Sequence, residues 1–112
     1  LLNGLFSLSH NIRLYIPSTV DVDKKIDTGE YVKHARELFG ASFGGATSYK
    51  AIGSWLTANK LVNEAVTIVE SYATSEAVEN HLPKVLEYAK TIKQELKQEA
   101  ISLEYDNKLY FI

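Results

Sequence analysis

The sequence predicts an α+β domain with a ferredoxin-like (split βαβ) fold, in which two helices cover one face of an antiparallel sheet. Segments of alternating and of helical periodicity follow one another in the order β-α-β-β-α-β-β. A short turn near the C-terminus adds an extra hairpin strand to the usual ferredoxin-like set. The length of 112 residues is that of one domain.

Composition narrows the possible functions. Twelve basic and fourteen acidic residues give a net charge of −2, and no Lys/Arg stripe stands out, so nucleic acid is not expected as a partner. The absence of cysteine argues against disulfides, thiolate catalysis and the usual zinc sites, and it suits a cytoplasmic location. The apolar runs are too short for a membrane span. The histidines are scattered, so no metal or other cofactor is expected.

The domain is expected to occupy residues 12–112, after an N-terminal extension of residues 1–11 that lacks the basic start of a signal peptide. The first strand alternates from Ile12 to Ile16, and Pro17 stops it. Residues 18–27 are polar and are interpreted as a solvated loop. A calcium site at Asp21, Asp23 and Asp27 is the alternative, which the missing EF-hand glycine and glutamate disfavour.

The first helix is predicted over residues 28–39. Asp27 and Glu30 form a capping-box pattern at its start, and Gly40 is the expected C-cap. Gly44 and Gly45 then lead into a hairpin that contains Trp55, the only tryptophan. Phosphate-binding glycine loops precede a helix, whereas this one follows a helix, so a structural turn is favoured over a binding loop.

The longest strand pattern extends from Val62 to Ala73. One face of this strand has small side chains, which suits a helix packed on it. The other face carries Glu64 and Glu70. A helical turn over residues 75–81 and a main helix over 83–97 are predicted next, separated at Pro83. The C-terminal hairpin is predicted over 100–105 and 108–112, around a two-residue Asp-Asn turn.

Candidate catalytic groups are few in the sequence. Ser48, Thr47, His34 and His81 are present, but no local motif joins them into a nucleophilic site. Glu64, Glu70 and Glu104 lie on predicted strands and could approach one another. Charges that protect sheet edges from aggregation are the favoured explanation for these glutamates. No catalytic residue is assigned.

Aromatic residues concentrate on the predicted strands and suggest a binding surface. The candidate binding residues are Trp55, Tyr49, Tyr72, Gly44, Gly45 and Thr47. Tyrosine and tryptophan are enriched in interfaces, which favours a homodimer that pairs sheet faces. Base stacking is disfavoured because basic flanks and an RNP-type motif are absent.

The chain resembles a group of small bacterial and phage proteins without an assigned activity, which phages, plasmids and other mobile elements carry. The resemblance covers about residues 12–112 and depends on four strings, which are Leu14-Tyr15-Ile16-Pro17-Ser18-Thr19, Phe43-Gly44-Gly45-Ala46-Thr47 with Gly53-x-Trp55, Gln98-Glu99-Ala100-Ile101-Ser102-Leu103-Glu104 and Leu109-Tyr110-Phe111-Ile112. It implies a compact α+β protein and assigns no catalytic residues.

The expected function is therefore that of a non-enzymatic accessory protein that binds another protein. Carriage on mobile elements, as the resemblance implies, suggests an inhibitor of a host defence factor. The alternative is a small-molecule-binding protein or minor enzyme of the dimeric α+β barrel type. Its pocket is expected between sheet and helices, near Gly44, Gly45, Thr47 and His34.

Overall fold

The computed structural model describes residues 1–20 and 24–112. Its elements, in chain order, are β1 (His10–Pro17), β2 (Thr19–Val20), β3 (Lys24–Lys25), α1 (Gly29–Phe43), β4 (Thr47–Leu56), β5 (Leu61–Ala73), α2 (Ser75–Glu95), β6 (Ser102–Tyr105) and β7 (Lys108–Phe111). Strands β4-β5-β1-β6-β7 form, in that order, one five-stranded antiparallel sheet. The predicted ferredoxin-like fold is confirmed, and β7 is the extra C-terminal hairpin strand.

The core lies between the two helices and one face of this sheet. Ile12, Leu14 and Ile16 of β1 are fully buried there, and so are Val69 and Ala73 of β5. This confirms that the small face of β5 is the one a helix covers. Alternation along each strand places the intervening residues on the opposite face, which neither α1 nor α2 covers and which we call the open face.

Helix α1 is longer than predicted. It passes through Gly40 and ends at Phe43, and Gly44 is its C-cap at φ +98°, with its amide donating to Gly40 O at 3.0 Å. The buried rings of Phe39 and Phe43 pack edge to face at 5.6 Å, which extends the apolar stripe by one turn beyond Gly40. At the start, Asp27 Oδ1 accepts the Gly29 amide at 2.9 Å. The N-cap residue is Thr28, not Asp27.

Helix α2 is continuous, so the predicted break at Pro83 is wrong. The Thr74 side chain caps it by accepting the Ala77 amide at 3.1 Å. Pro83 lacks the amide that a helix interior uses to bond the carbonyl four residues earlier, that of Glu79. Both residues lie on the exposed side of the helix, where water can satisfy that carbonyl.

The segments outside the two helices differ from prediction only locally. β1 begins at His10, so two residues of the predicted extension belong to the sheet, where they pair with Ala73 and Tyr72. The loop predicted over 18–27 contains the short β2–β3 ribbon. The candidate calcium residues Asp21 and Asp23 lie outside the described residues. The C-terminal turn at Asp106 and Asn107 is confirmed, with φ of 48° and 69°.

Within residues 1–20 and 24–112, neither helix is apolar enough over a sufficient length to cross a bilayer.

Candidate active site

A cluster of charged side chains lies on the open face, at the centre of the sheet. Arg13 of β1 is in register with Glu70 of β5 on one side and Glu104 of β6 on the other. Its Nε donates to Glu70 Oε2 at 2.5 Å, and its Nη1 donates to Glu104 Oε2 at 2.6 Å. All three side chains are partly shielded, with exposed fractions of 28%, 14% and 18%. The three side chains lie side by side because β1 is paired with β5 on one edge and with β6 on the other.

Two neutral side chains complete this group, which we call the Arg13 cluster (Asn11, Arg13, Tyr15, Glu70 and Glu104). Asn11 Nδ2 donates to Glu70 Oε2 at 3.1 Å, and the Tyr15 hydroxyl donates to Glu104 Oε1 at 3.0 Å. Three of the four carboxylate oxygens are therefore hydrogen-bonded. Glu70 Oε1 accepts no hydrogen bond from any residue that the structure describes, so it is available to a ligand.

The electrostatics of the cluster favour a cationic ligand. Two carboxylates share one guanidinium, which leaves a net charge of −1. The hydrogen bond from Arg13 to Glu70 raises the pKa of Arg13, so the guanidinium stays charged. Burial, and then the bond to Glu104, raises the pKa of Tyr15, which remains a protonated donor at neutral pH. A cation that enters such a partly desolvated site interacts with the carboxylates more strongly than in bulk water.

Glu70 also lines an open cleft of about 510 Å³, which we call the glycine cleft. Its other lining residues are Phe6, Leu8, Phe43, Gly44, Gly45, Ala46, Thr47, Ser71 and Tyr72. The buried Ser71 hydroxyl donates to Gly45 O at 2.5 Å and holds the glycine turn against β5. The cleft therefore offers apolar and aromatic surface beside a carboxylate, within the size range of small-molecule sites.

The structure brings together four of the six candidate binding residues. Gly44, Gly45, Thr47 and Tyr72 line the glycine cleft, and Tyr72 is 53% exposed. Tyr49 lies on the open face of β4, opposite Ile68. Trp55 is 43% exposed and lies away from the cleft, in a separate hollow with Val62 and Glu64. Binding by these residues stays a prediction.

The pocket expected near both the glycine turn and His34 is not formed as one site. His34 lies on α1 and packs against Tyr88, with ring centroids 4.6 Å apart. The hollow that His34 lines, with Tyr31 and Glu95, does not include Gly44 or Thr47. In the described part of the chain, no group of His, Asp and Glu side chains is arranged to hold a metal ion.

The sequence allows two interpretations of Glu70 and Glu104, a pair of carboxylates or, as the favoured explanation, charges that protect sheet edges. That explanation is wrong, because β5 and β6 are interior strands and the edges are β4 and β7. Arg13, Asn11 and Tyr15 were missed. Their alternation with Ile12 and Leu14 could have placed them on the open face, but pairing them with glutamates requires the cross-strand register.

The whole chain shares its fold with two solved structures of a phage SAM lyase. The structure in complex with S-methyl-5'-thioadenosine has a TM-score of 0.66 and 17% sequence identity, over 100% of this chain and 95% of that chain. The apo structure has a TM-score of 0.68 and 19% identity, over 100% of this chain and 94% of that chain. No protein-family model matches the chain, and no curated protein matches it.

These likenesses overturn the expected function. Both structures are of an enzyme, so the expectation of a non-enzymatic protein that binds and inhibits a host factor is contradicted. Both solved structures are of a phage protein; the resemblance of this chain to small bacterial and phage proteins stays a prediction. At identities below one-fifth the likeness shows the fold, and the chemistry must be argued from the residues of this chain.

Proposed function

We propose that this protein is a lyase that cleaves SAM (S-adenosylmethionine) and releases S-methyl-5'-thioadenosine. The observation that carries the proposal is the carboxylate of Glu70, which belongs to the negatively charged Arg13 cluster and also lines the glycine cleft. The fold shared with the phage SAM lyase supports it.

Recognition of SAM depends on its sulfonium, which carries a permanent positive charge next to an adenosine and a methionine backbone. In the proposed complex the sulfonium lies near Glu70 Oε1, the oxygen that no described residue engages. The face of Tyr72, at the same cleft, adds a cation–π contact of about 0.5–2 kcal/mol. The apolar wall formed by Phe43 and Leu8 accommodates the nucleoside.

The bond that breaks joins the sulfonium sulfur to the γ-carbon of the methionine moiety. Its electron pair stays with sulfur, which becomes the neutral thioether of S-methyl-5'-thioadenosine. The γ-carbon of the four-carbon fragment then either bonds to an oxygen of the fragment's own carboxylate, which closes a ring, or forms a double bond to the β-carbon, whose proton passes to the Glu70 carboxylate. The Arg13 cluster holds the cation before cleavage and loses that attraction when sulfur becomes neutral, which favours release of the product.

The test is to incubate the purified protein with SAM and to measure S-methyl-5'-thioadenosine by mass spectrometry against a protein-free control. NMR of the four-carbon fragment then distinguishes ring closure from proton loss. We expect Glu70→Gln and Glu104→Gln to lower the rate at subsaturating SAM by about 10-fold or more, because each removes a negative charge that attracts the sulfonium of bound SAM. The matched control is Glu79→Gln on the exposed side of α2, which should keep the rate. Formation of product no faster than in the protein-free sample would refute the proposal.

The homodimer and the cytoplasmic location stay predictions. In support of self-association, the open face exposes Leu109 at 50% and Phe111 at 71%, which are two residues apart on the edge strand β7, and Trp55 at 43% on the opposite edge strand β4. Exposed apolar patches of this kind mark interaction sites in soluble proteins. The mass of the protein in solution decides between a monomer and an oligomer.

A further inference from the structure

Ser75, His10 and Asp106 are aligned at one end of the sheet, outside the Arg13 cluster. His10 is the first residue of β1, Ser75 is the first residue of α2, and Asp106 lies in the β6–β7 turn. His10 Nδ1 is 2.6 Å from Asp106 Oδ2, and His10 Nε2 is 2.8 Å from Ser75 Oγ. A hydroxyl, an imidazole and a carboxylate in this order, each within hydrogen-bond distance, form the arrangement that activates a serine nucleophile.

The hydrogen-bond network assigns the tautomer of His10. The Asn11 amide donates to Asp106 Oδ1 at 2.9 Å, and this bond, followed by that from His10, lowers the pKa of Asp106. An ionised carboxylate only accepts, so His10 Nδ1 carries the proton and Nε2 is free to accept the Ser75 hydroxyl proton. The Tyr105 ring stacks on His10 at 5.7 Å and 17°, which fixes the plane of the imidazole.

The start of α2 provides donors next to Ser75. Thr74 Oγ1 accepts the Ala77 amide, and Thr74 O accepts the Val78 amide. Across the described residues, the amides of Ser75 and Glu76 have no acceptor. Two amides at the positive end of a helix, beside a hydroxyl, suit the oxyanion that forms when that hydroxyl attacks a carbonyl.

We propose that Ser75 is the nucleophile of a second catalytic site, which transfers acyl groups from small carboxylic esters. Ser75 Oγ bonds to the ester carbonyl carbon while His10 Nε2 takes the hydroxyl proton. The carbon–oxygen bond to the alcohol then breaks, and His10 passes the proton to the departing alkoxide. Water then attacks the acyl-Ser75 ester while His10 Nε2 takes its proton, and His10 returns that proton to Ser75 Oγ as the acyl carbon–Oγ bond breaks and the carboxylic acid leaves. Ser75 is exposed, which favours small, unhindered acyl groups that need little enclosing surface.

A purely structural role for the same contacts makes a different prediction. The bonds among Ser75, His10 and Asp106 join α2, β1 and the β6–β7 turn. If these bonds are only structural, Ser75→Ala lowers the free energy of unfolding, and the Ser75 hydroxyl is no more nucleophilic than that of other exposed serines. The tests below therefore measure chemical reactivity at a named atom.

The first test exposes the folded protein to a fluorophosphonate probe and to p-nitrophenyl acetate, and locates any adduct by peptide mass spectrometry. We expect one adduct, at Ser75, and ester hydrolysis that falls about 100-fold or more in Ser75→Ala, His10→Gln and Asp106→Asn. Ser54→Ala is the matched control, since Ser54 is also exposed but bonds to Asn63 instead of a histidine. Absence of an adduct, or an adduct that persists in Ser75→Ala, overturns the proposal.

A second test works even if the His10 and Asp106 variants fail to fold. The chain has no cysteine, so Ser75→Cys and Ser54→Cys each introduce a single thiol. Pairing with an imidazole favours the reactive thiolate, so Cys at position 75 should alkylate with iodoacetamide at least ~10-fold faster than Cys at position 54. Equal rates contradict the proposal. Ser75 makes no hydrogen bond to Arg13 or Glu70, and Ser75→Ala is expected to keep SAM cleavage, so the two proposals fail separately.

Discussion

Glu70 and Glu104 bind the same guanidinium from opposite sides of β1. Arg13 lies between them and donates to Glu70 through Nε and to Glu104 through Nη1. The two glutamates are therefore held close together on an open sheet face by a single cation. Removal of that cation leaves two like charges at partly buried positions, where repulsion and desolvation both act on them.

We expect Arg13→Gln to lower the free energy of unfolding by about 1–3 kcal/mol, the scale of lost hydrogen bonds to charged groups. Urea denaturation measures the change. The matched control is Lys33→Gln, which removes an exposed pair with Glu37 at 3.9 Å and should cost less than about 0.5 kcal/mol. If the two variants lose the same stability, the Arg13 cluster has no special role in the fold.

Glu70→Gln is expected to separate the binding of SAM from the binding of S-methyl-5'-thioadenosine. The substitution keeps the shape of the side chain and removes its charge, which matters to the sulfonium of SAM and little to a neutral thioether. Calorimetric titration should show SAM affinity lowered about 10-fold or more and product affinity within about twofold of the wild type. An equal loss for both ligands contradicts a role for Glu70 in recognising the cation.

Alanine at Gly40, inside α1, and at Gly44, the C-cap of α1, should have opposite effects. Gly44 is at φ +98°, where a Cβ is strained whatever the space around it, so Gly44→Ala should destabilise by about 1 kcal/mol or more. Gly40 is inside the helix, and a Cβ there meets no atom within 4 Å, so Gly40→Ala should stabilise by about 0.5–1 kcal/mol. Thermal unfolding of the two variants checks the signs, and a shift in the same direction for both contradicts the assigned helix end.

The raised pKa of Tyr88 predicts that the free energy of unfolding falls at alkaline pH. Burial, with smaller effects from Tyr31 and Glu95, raises the pKa of Tyr88 from 10.0 to about 12, while its hydroxyl donates to Tyr31 O at 3.0 Å. The folded state therefore keeps a proton that the unfolded state releases. This contribution to stability is fully present below about pH 10 and is lost as the pH rises through about 12.

Urea midpoints of the wild type and of Tyr88→Phe between pH 8 and pH 11 measure this contribution, because phenylalanine does not ionise. The wild type should lose stability more steeply than the variant over that range. Parallel curves would show that Tyr88 ionises alike in both states.

The fold could be predicted because the periodicity of its segments is local. The alternation of Ile12, Leu14 and Ile16 and the Asp106-Asn107 turn depend on neighbours in the chain, and both are confirmed. The end of α1 was misplaced because Phe43 is held in the helix by packing against Phe39, which a glycine at position 40 does not reveal. Pro83 predicts a break in the sequence pattern because the exposure of its side of α2 is a tertiary property, which the sequence does not show.

The sites could be predicted less well, since their residues come from distant segments. The glycine turn and Tyr72 were singled out from composition, and the structure places them in one cleft. Glu70 was considered without its partner, because the register that sets Arg13 opposite it depends on strand pairing across the sheet. Ser75 and Asp106 were never connected with His10, since the sequence separates the histidine from them by 65 and 96 positions.

The central place of β1 in the sheet determines when, during synthesis of the chain, the candidate site can assemble. Arg13 is separated by 57 residues from Glu70 and by 91 from Glu104. On the ribosome β1 emerges early, but one of its edges stays unpaired until β6 has followed it out. Contacts so distant along the chain close slowly, because loop entropy must be overcome first. A nascent chain can thus pair β1 with β5 but cannot complete the Arg13 cluster, so the candidate site forms only after β6 has been synthesised.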